Sequence, residues 1–328
     1  MNIVRVALAV PLPRFFDYLY SPDLLPIVGG RVLVPFGSQK RVGIVVDLPA
    51  SSDVAKEKLK PIIDVLDADS LFNSTIWDWL AWSANYYRAA LGDVLFQALP
   101  VKLRNGESAV KNDRTFWRIT DLGKQALELG ALKRAKKQIE ALNLLLTQDL
   151  EKGNNEISSA IWSALKGKDY VEEIIVSTEQ KSWQQALGDN PLVNLDNRLT
   201  LNKQQALAFS QLLFQEGFNV WLLEGVTGSG KTEIYLQYIE EVLKKGKQVL
   251  VLVPEIGLTP QTVRRFQARF NVEIDVLHSN LNDTQRLNVW ERARTGQSAI
   301  VIGTRSALFT QFSDLGLIIL DEEHDGSF

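Results

Sequence analysis

Short apolar runs bounded by glycine, proline or serine fill the first hundred residues. IVRVALAV, GGRVLVPFG and RVGIVVDL alternate with turn residues, the pattern of short strands punctuated by turns. The pattern lengthens at FNSTIWDWLAWSANYYRAA, where Ile76, Trp79, Leu80 and Ser83 share a helical face and Trp77, Trp82, Tyr86 and Tyr87 add aromatic area. These rings are expected to pack the helix on the sheet, because base-stacking platforms usually sit on strands or loops. Residues 1–105 therefore read as a small β-rich module.

From 112 to 178 the period changes. Ile139, Leu142, Leu145 and Leu146 recur at helical spacing, followed by a Gly-Asn turn, a second short helix and the segment WSALKGKDYVEEIIV. Helix, turn, helix and a basic hairpin-like tail read as a winged helix, although many three-helix modules share the order and a winged helix binds DNA in some proteins and protein in others. A polar stretch with one proline, 179–198, reads as a linker. Beyond Leu199 the runs VWLLE, QVLVLVP, EIDVLH, AIVIGT and LGLIIL alternate with amphipathic helices, which predicts a parallel sheet covered on both faces. Ligands of such sheets bind at the carboxyl ends of the strands.

Composition narrows the class. With 45% hydrophobic and 23% charged residues over 328 positions and no membrane-length apolar run, a soluble multidomain chain is expected. Pro11 and Pro13 interrupt the apolar N-terminus, which reads as a strand and not a signal peptide. The chain has 0 cysteines and 2 histidines, His278 and His324, too few for a zinc site. The net charge of −3 gives no global sign of nucleic acid, yet between Lys111 and Glu140 Lys111, Arg114, Arg118, Lys124, Lys133, Arg134, Lys136 and Lys137 face only Asp113, Asp121, Glu128 and Glu140. This basic stretch is either a solvated helix face or a phosphate-binding surface.

GVTGSGKT, 225–232, follows VWLLE and opens the helix KTEIYLQYIEEVL. Gly225, Gly228 and Gly230, with Thr227 and Ser229 between them, allow the backbone to wrap an anion with its N–H groups inward, and the helix N-terminus adds its positive end. Lys231 is then placed to reach the β- and γ-phosphates of ATP, and Thr232 to offer a hydroxyl to Mg²⁺. Asp321 ends an apolar strand, where it can hold Mg²⁺ through water. Glu322 is placed to orient an attacking water, and His324 to sense the γ-phosphate or merely to end the strand. The two motifs together predict a nucleotide-dependent motor.

LNKQQA at 201–206, VPEIGLTPQ at 253–261, LHS at 277–279 and GTRSALF at 303–309 accompany these motifs, and VPLPRFFDYL and GRVLVPFG stand at the front. With them the chain resembles, over essentially its whole length, the PriA family of superfamily 2 helicases, bacterial primosomal proteins that restart replication at abandoned forks. The resemblance implies a RecA-like lobe over 199–328 that binds ATP and Mg²⁺, with Gln205 on the adenine side, Lys231, Asp321, Glu322 and His324 as catalytic residues, and Thr232 and Asp321 at the metal. It places Thr259, Thr304 and Arg305 on the single-stranded DNA backbone. It also implies 3′ to 5′ unwinding, branched DNA, forks and single-stranded DNA as ligands, single-stranded DNA-binding protein and primosome proteins as partners, and a cytoplasmic, nucleoid-associated location.

The family continues past the acidic motif into a second lobe with an arginine finger and a cysteine-rich zinc module, so the chain is expected to be an amino-terminal piece, with zinc only in the remainder. After the histidine it has Asp325, Gly326, Ser327 and Phe328 where the family reads Asp-x-Ser-Tyr-Lys-Gln. As this piece it is either part of an ATP-driven enzyme or an ATP-independent module for branched DNA. A small-molecule kinase is disfavoured by the two hundred residues before the loop. Finally, Asp17 between Phe16 and Tyr18 is either a turn residue or, as the resemblance implies, part of a pocket for the phosphate-free 3′ terminus of DNA with Gly37 and Lys60.

Overall fold

The computed structural model describes residues 2–109, 113–132, 135–147, 149–151, 157–177, 181–213 and 217–326. The chain forms two compact units, one of residues 1–109 with 181–328 and one of residues 110–180. Lys111, Lys133, Arg134, Ser327 and Phe328 lie outside the described residues, as does the side chain of Arg114.

The first unit opens with an antiparallel sheet of β1 (Ile3–Leu8), β2 (Phe16–Leu19), β3 (Arg31–Phe36), β4 (Gln39–Asp47) and β5 (Asp64–Val65) in the order β2-β1-β4-β3-β5. Alternation sorts the side chains: Val4, Val6, Val32, Val34 and Val45 fill one core, while Ala7 and Ile44 face another. The sheet closes on itself, because Leu19 N donates to Lys60 O at 2.9 Å, Ile62 N donates to Leu19 O at 2.8 Å and β5 pairs with β3. The β3–β4 hairpin turns at Gly37, whose φ of +60° an L side chain rarely adopts.

Helices α1 (Ser74–Tyr86), α2 (Leu91–Gln97) and α3 (Val101–Arg104) cover the outer face through Leu80, Leu95, Leu99 and Leu103. Asn73 caps α1 by accepting from Ile76 N. The aromatic expectation holds only for the first half of α1. Trp77 and Trp79 pack inward, whereas Trp82, Tyr86 and Tyr87 are 55%, 64% and 71% exposed. Trp82 and Tyr86 are four residues apart and lie about 200° around the helix from Leu80 and Ala84, so they stack on each other at 4.9 Å instead of on the sheet.

The second unit holds β6 (Asp113–Ile119), α4 (Asp121–Glu128), α5 (Lys136–Thr147), β7 (Leu150–Glu151), α6 (Ser159–Lys166) and β8 (Val171–Ser177). Its antiparallel sheet has the order β7-β6-β8, so the tail expected as a hairpin is a single strand pairing with the strand that precedes the helices. Trp117 and Trp162 stack at 5.3 Å above Leu142 and Leu165, both fully buried; Leu146, expected beside them, is exposed.

The remainder of the first unit carries α7 (Trp183–Leu187), α8 (Lys203–Leu213), α9 (Lys231–Lys244), β9 (Gln248–Leu252), α10 (Pro260–Arg269), β10 (Ile274–Leu277), α11 (Asp283–Arg294), β11 (Ile300–Gly303) and β12 (Leu315–Leu320). The strands are parallel in the order β10-β11-β9-β12, with Val249, Val251, Ile300 and Ile302 on one face and Leu250, Leu252 and Val301 on the other. Two expectations need correction. VWLLE forms no strand: Val220 and Leu222 are 83% and 73% exposed, and among the described residues nothing pairs with the outer edge of β12. A buried strand needs a cover as well as a ladder, and α8 has no buried residue to supply one. The stretch expected as a linker is partly folded, since Trp183 of α7 and Val193 sit in the core with Ile239 and Phe266.

Although read separately in the sequence, the β-rich module and the parallel-sheet lobe share a core. Leu287 and Trp290 of α11 pack with Leu103 and Phe72, Gln311 Nε2 donates to Leu71 O, and Asn73 N donates to Gln311 Oε1 at 3.1 Å. Beneath this joint Arg31 is fully buried; its Nε and Nη2 donate to the two Asp67 carboxylate oxygens at 2.8 Å each, and its Nη1 donates to Leu103 O and Glu107 O. Among the described residues no helix is long and apolar enough to cross a membrane.

Removing one partner of a buried pair leaves a charge uncompensated, so Arg31→Met is expected to lower the stability of the first unit by about 3–5 kcal/mol, whereas Arg31→Met with Asp67→Leu recovers most of the loss. Urea titration of the three proteins checks it; equal loss in the single and double variants would contradict this.

Candidate nucleotide and nucleic-acid sites

The phosphate loop runs into α9 with Gly228 and Gly230 at φ +80° and +85°, Gly230 serving as the helix N-cap. A Cβ at Gly228 would meet nothing within 4 Å, which leaves the loop open to a ligand. Lys231 Nζ donates to Gly225 O, folded back over the loop. Gln205 Nε2 donates to Ser229 O at 2.8 Å, while Gln205 and Asn202 exchange hydrogen bonds that begin α8. A side chain at Gly230 would collide with Gln205, at 2.3 Å from Nε2.

Asp321 follows β12 and is held by its own N–H donating to Leu252 O at 2.9 Å. Its Oδ2 accepts from the Tyr235 hydroxyl at 3.1 Å. Burial, then the Asp321 charge, pushes the Tyr235 phenol well above its ordinary range, while a hydrogen bond from Thr232 opposes the shift. Tyr235 thus joins the two residues assigned to the metal. No linear motif marks Tyr235; its one signal in the sequence is a position three residues after Thr232 on the same helix. Glu322 adopts φ +55°, an uncommon conformation for a non-glycine residue, and its carboxylate lies 3.4 Å from His324 Nε2 on an exposed turn.

Thr259 caps α10, accepting from Thr262 N with Pro260 at the first helical position. Thr304 is half-buried and Arg305 exposed at the start of a short 3₁₀ helix. Val253 N donates to Gly303 O at 2.9 Å, which keeps the ends of β9 and β11 level. Thr259, Thr304 and Asp321 thus all follow the carboxyl ends of adjacent parallel strands.

On the closed sheet, Phe16 and Phe36 meet edge to face at 5.2 Å and the Tyr18 hydroxyl donates to Pro35 O at 3.2 Å, which ties Phe16 and the buried Tyr18 to the end of β3 before the Gly37 turn, while Asp17 between them points to the other face of β2. The space at the Gly37 Cα is open, and Lys60 is exposed beside Leu19. Asp17 is not free. Arg5 donates to its two oxygens at 2.8 and 3.0 Å and Ser52 Oγ donates at 2.6 Å, so three of its roughly four acceptor positions are used. The Arg5 hydrogen bonds hold its carboxyl below the usual carboxylate range against burial, with help from Ser52 and the Arg5 charge. Arg5 stands opposite Asp17 in the β1–β2 register, a partnership no linear pattern reveals.

The basic stretch is partly neutralised: Arg118 pairs with Asp149 at 2.7 Å and Lys124 with Asp121 at 3.0 Å, while Lys136 and Lys137 are exposed.

Residues 5–100 match the model of a 3′ DNA-binding domain, and residues 202–327 that of DEAD/DEAH box helicases, which defines the class: a helicase-type lobe joined to a 3′ DNA-binding domain. The chain is 75% identical over all 328 residues to the replication restart protein PriA of Haemophilus influenzae, and covers 45% of that protein. It is 35% identical over 99% of its length to the PriA of Buchnera aphidicola from Acyrthosiphon pisum and 29% identical over 100% to that of Bacillus subtilis, covering 44% and 49% of those chains. The chain belongs to the PriA family and spans about half the length of the curated relatives it matches.

Because the Asp17 carboxyl is depressed in the folded state, its stabilising contribution is complete above its unfolded value near 3.9 and is lost as pH falls through the lowered folded value. The stability difference between the unmutated protein and Asp17→Asn is therefore expected to stay flat from neutrality down to about pH 5 and to shrink below about pH 4. Urea titrations across that range measure it.

Proposed function

We propose that the chain is the amino-terminal part of a replication restart helicase that recognises abandoned forks through a 3′-end pocket and, within its complete protein, unwinds DNA 3′ to 5′ at the expense of ATP. The observation that carries this reading is placement. Thr259, Thr304 and Asp321 follow the carboxyl ends of adjacent parallel strands, Tyr235 of the helix that leaves the phosphate loop reaches Asp321, and the same compact unit holds Phe16, Asp17, Tyr18, Gly37 and Lys60 on one closed antiparallel sheet.

On this reading Lys231 leaves Gly225 O for the β- and γ-phosphates, the N–H groups of Gly228 to Lys231 surround them, and Gln205 positions the loop for the adenine side. Thr232 and Asp321 would hold Mg²⁺; their shared neighbour Tyr235 supports the fit, and Mg²⁺ commonly takes only one or two protein ligands beside phosphate oxygens. Bound Mg·ATP supplies the phosphoanhydride to be cleaved. Glu322 orients the attacking water and His324 answers to the γ-phosphate. The RecA-like character of the lobe, the division into domains at 1–105, 112–178 and 199–328, and a winged helix with rotated strand order in the second unit belong to the same proposal. So do fork DNA, single-stranded DNA-binding protein and primosome proteins as partners, and zinc elsewhere in the complete protein.

The transition-state arginine that the family resemblance assigns to a second lobe is worth about 10³ to 10⁵ in rate, so these 328 residues alone are expected to bind Mg·ATP and turn it over very slowly. Lys231→Ala is expected to abolish nucleotide binding and leave fork affinity unchanged. A fork with a free 3′-OH is expected to bind more tightly than the same fork with a 3′-phosphate, and Asp17→Ala to remove most of the difference. Equilibrium titration of both forks decides it: equal affinity for the two ends in the unmutated chain would make Asp17 a structural partner of Arg5 only.

A further inference from the structure

Two exposed arginines stand on either side of the Phe16–Phe36 pair. Arg14 Cζ lies 5.1 Å from the Phe16 ring centroid, and Arg41 Cζ lies 5.6 Å from that of Phe36. Arg41 belongs to β4, opposite Val34 and just past the Gly37 turn, and Arg14 lies two residues before the start of β2. Among the described residues neither arginine has a carboxylate partner, unlike Arg5, Arg118, Arg198, Arg292 and Arg294, each of which is paired with an acid. A guanidinium resting on an aromatic face is held in place without spending its N–H donors, which stay free for a bidentate acceptor. The Asp17 carboxylate is already paired with Arg5, which keeps it from standing as an uncompensated anion.

We propose that Arg14 and Arg41 bind the phosphodiester groups next to the terminal nucleotide of a DNA strand whose 3′ end sits at Phe16 and Gly37. The inference rests on the 3′-end reading above and extends it from the terminus to the phosphates that lead away from it. The terminus itself carries no phosphate, so the first anions of the strand fall beside the pocket and not inside it. That is where these two cations stand.

The test is a salt titration of the chain with a labelled linear single strand bearing a 3′-OH and with a covalently closed single-stranded circle, which has no end. The unmutated chain is expected to prefer the linear strand. In Arg14→Gln/Arg41→Gln the slope of log K against log salt for the linear strand is expected to become shallower by about 1.4, two phosphates at about 0.7 each, with binding of the circle unchanged. Arg14→Lys/Arg41→Lys keeps both charges and is expected to keep the slope. An unchanged slope in the glutamine variant, with preference for the linear strand intact, overturns this inference alone. Equal weakening on strand and circle overturns the placement beside the 3′ end. No preference for the linear strand in the unmutated chain overturns the 3′-end reading and this inference with it.

Discussion

The buried Arg31–Asp67 pair organises the first unit. Arg31 begins β3 on its helix-covered face, opposite Ile44, and its guanidinium reaches the carbonyls of Leu103 in α3 and Glu107 just after it. The cost of desolvating both charges is offset because the carboxylate is met bidentately and the remaining donors find carbonyls. Leu103 of α3 packs in one core with Leu287 and Trp290 of α11, so the pair fixes the surface on which the parallel-sheet lobe docks. Burial pushes the nearby Glu291 carboxyl up, with Arg294 acting against it, as happens to an acid at a dry joint. One ion pair therefore relates the two candidate sites of this unit.

Within the lobe, a second buried arginine has the corresponding task. Arg269, at the end of α10, donates to Glu233 in the first turn of α9 at 3.1 Å and to Asn197 O at 2.7 Å. Gln237 adds bonds to Glu233 and Leu199 O. The helix that begins at Thr259 is thus tied at its far end to the helix that begins at Lys231. Tyr235 extends the tie, stacking on Phe266 of α10 at 6.3 Å while its hydroxyl meets Asp321. Residues assigned to DNA and to nucleotide stand on two helices braced against each other.

The proposed 3′-end surface is built differently, from aromatic rings, an open glycine and charges that are either cancelled or free. Arg5 and Ser52 turn Asp17 from a repulsive carboxylate into a fixed dipole, and Lys60, Arg14 and Arg41 are exposed cations of the same module. Closure of the sheet through Leu19 and Lys60 is what brings the β2 strand, the β3–β4 turn and Lys60 together.

Much of this was legible in the linear pattern. The period-two runs of β1, β3 and β4, the continuous runs of β9, β11 and β12, the helix after the phosphate loop and the glycines at φ above zero follow from local chemistry, since hydrophobic period and backbone freedom are properties of a segment. The phosphate loop and the acidic turn were legible for the same reason. Other features depended on partners distant in sequence. The run VWLLE has the composition of a buried strand but finds neither ladder nor cover among the described residues, Trp82 and Tyr86 carry core-type side chains on an exposed face, and Trp183 is buried from a stretch that reads as linker. The pairing of Arg5 with Asp17, of Tyr235 with Asp321 and of Arg31 with Asp67 was decided by strand register and sheet closure, because a hydrogen bond needs two groups in one place and sequence alone fixes only one of them.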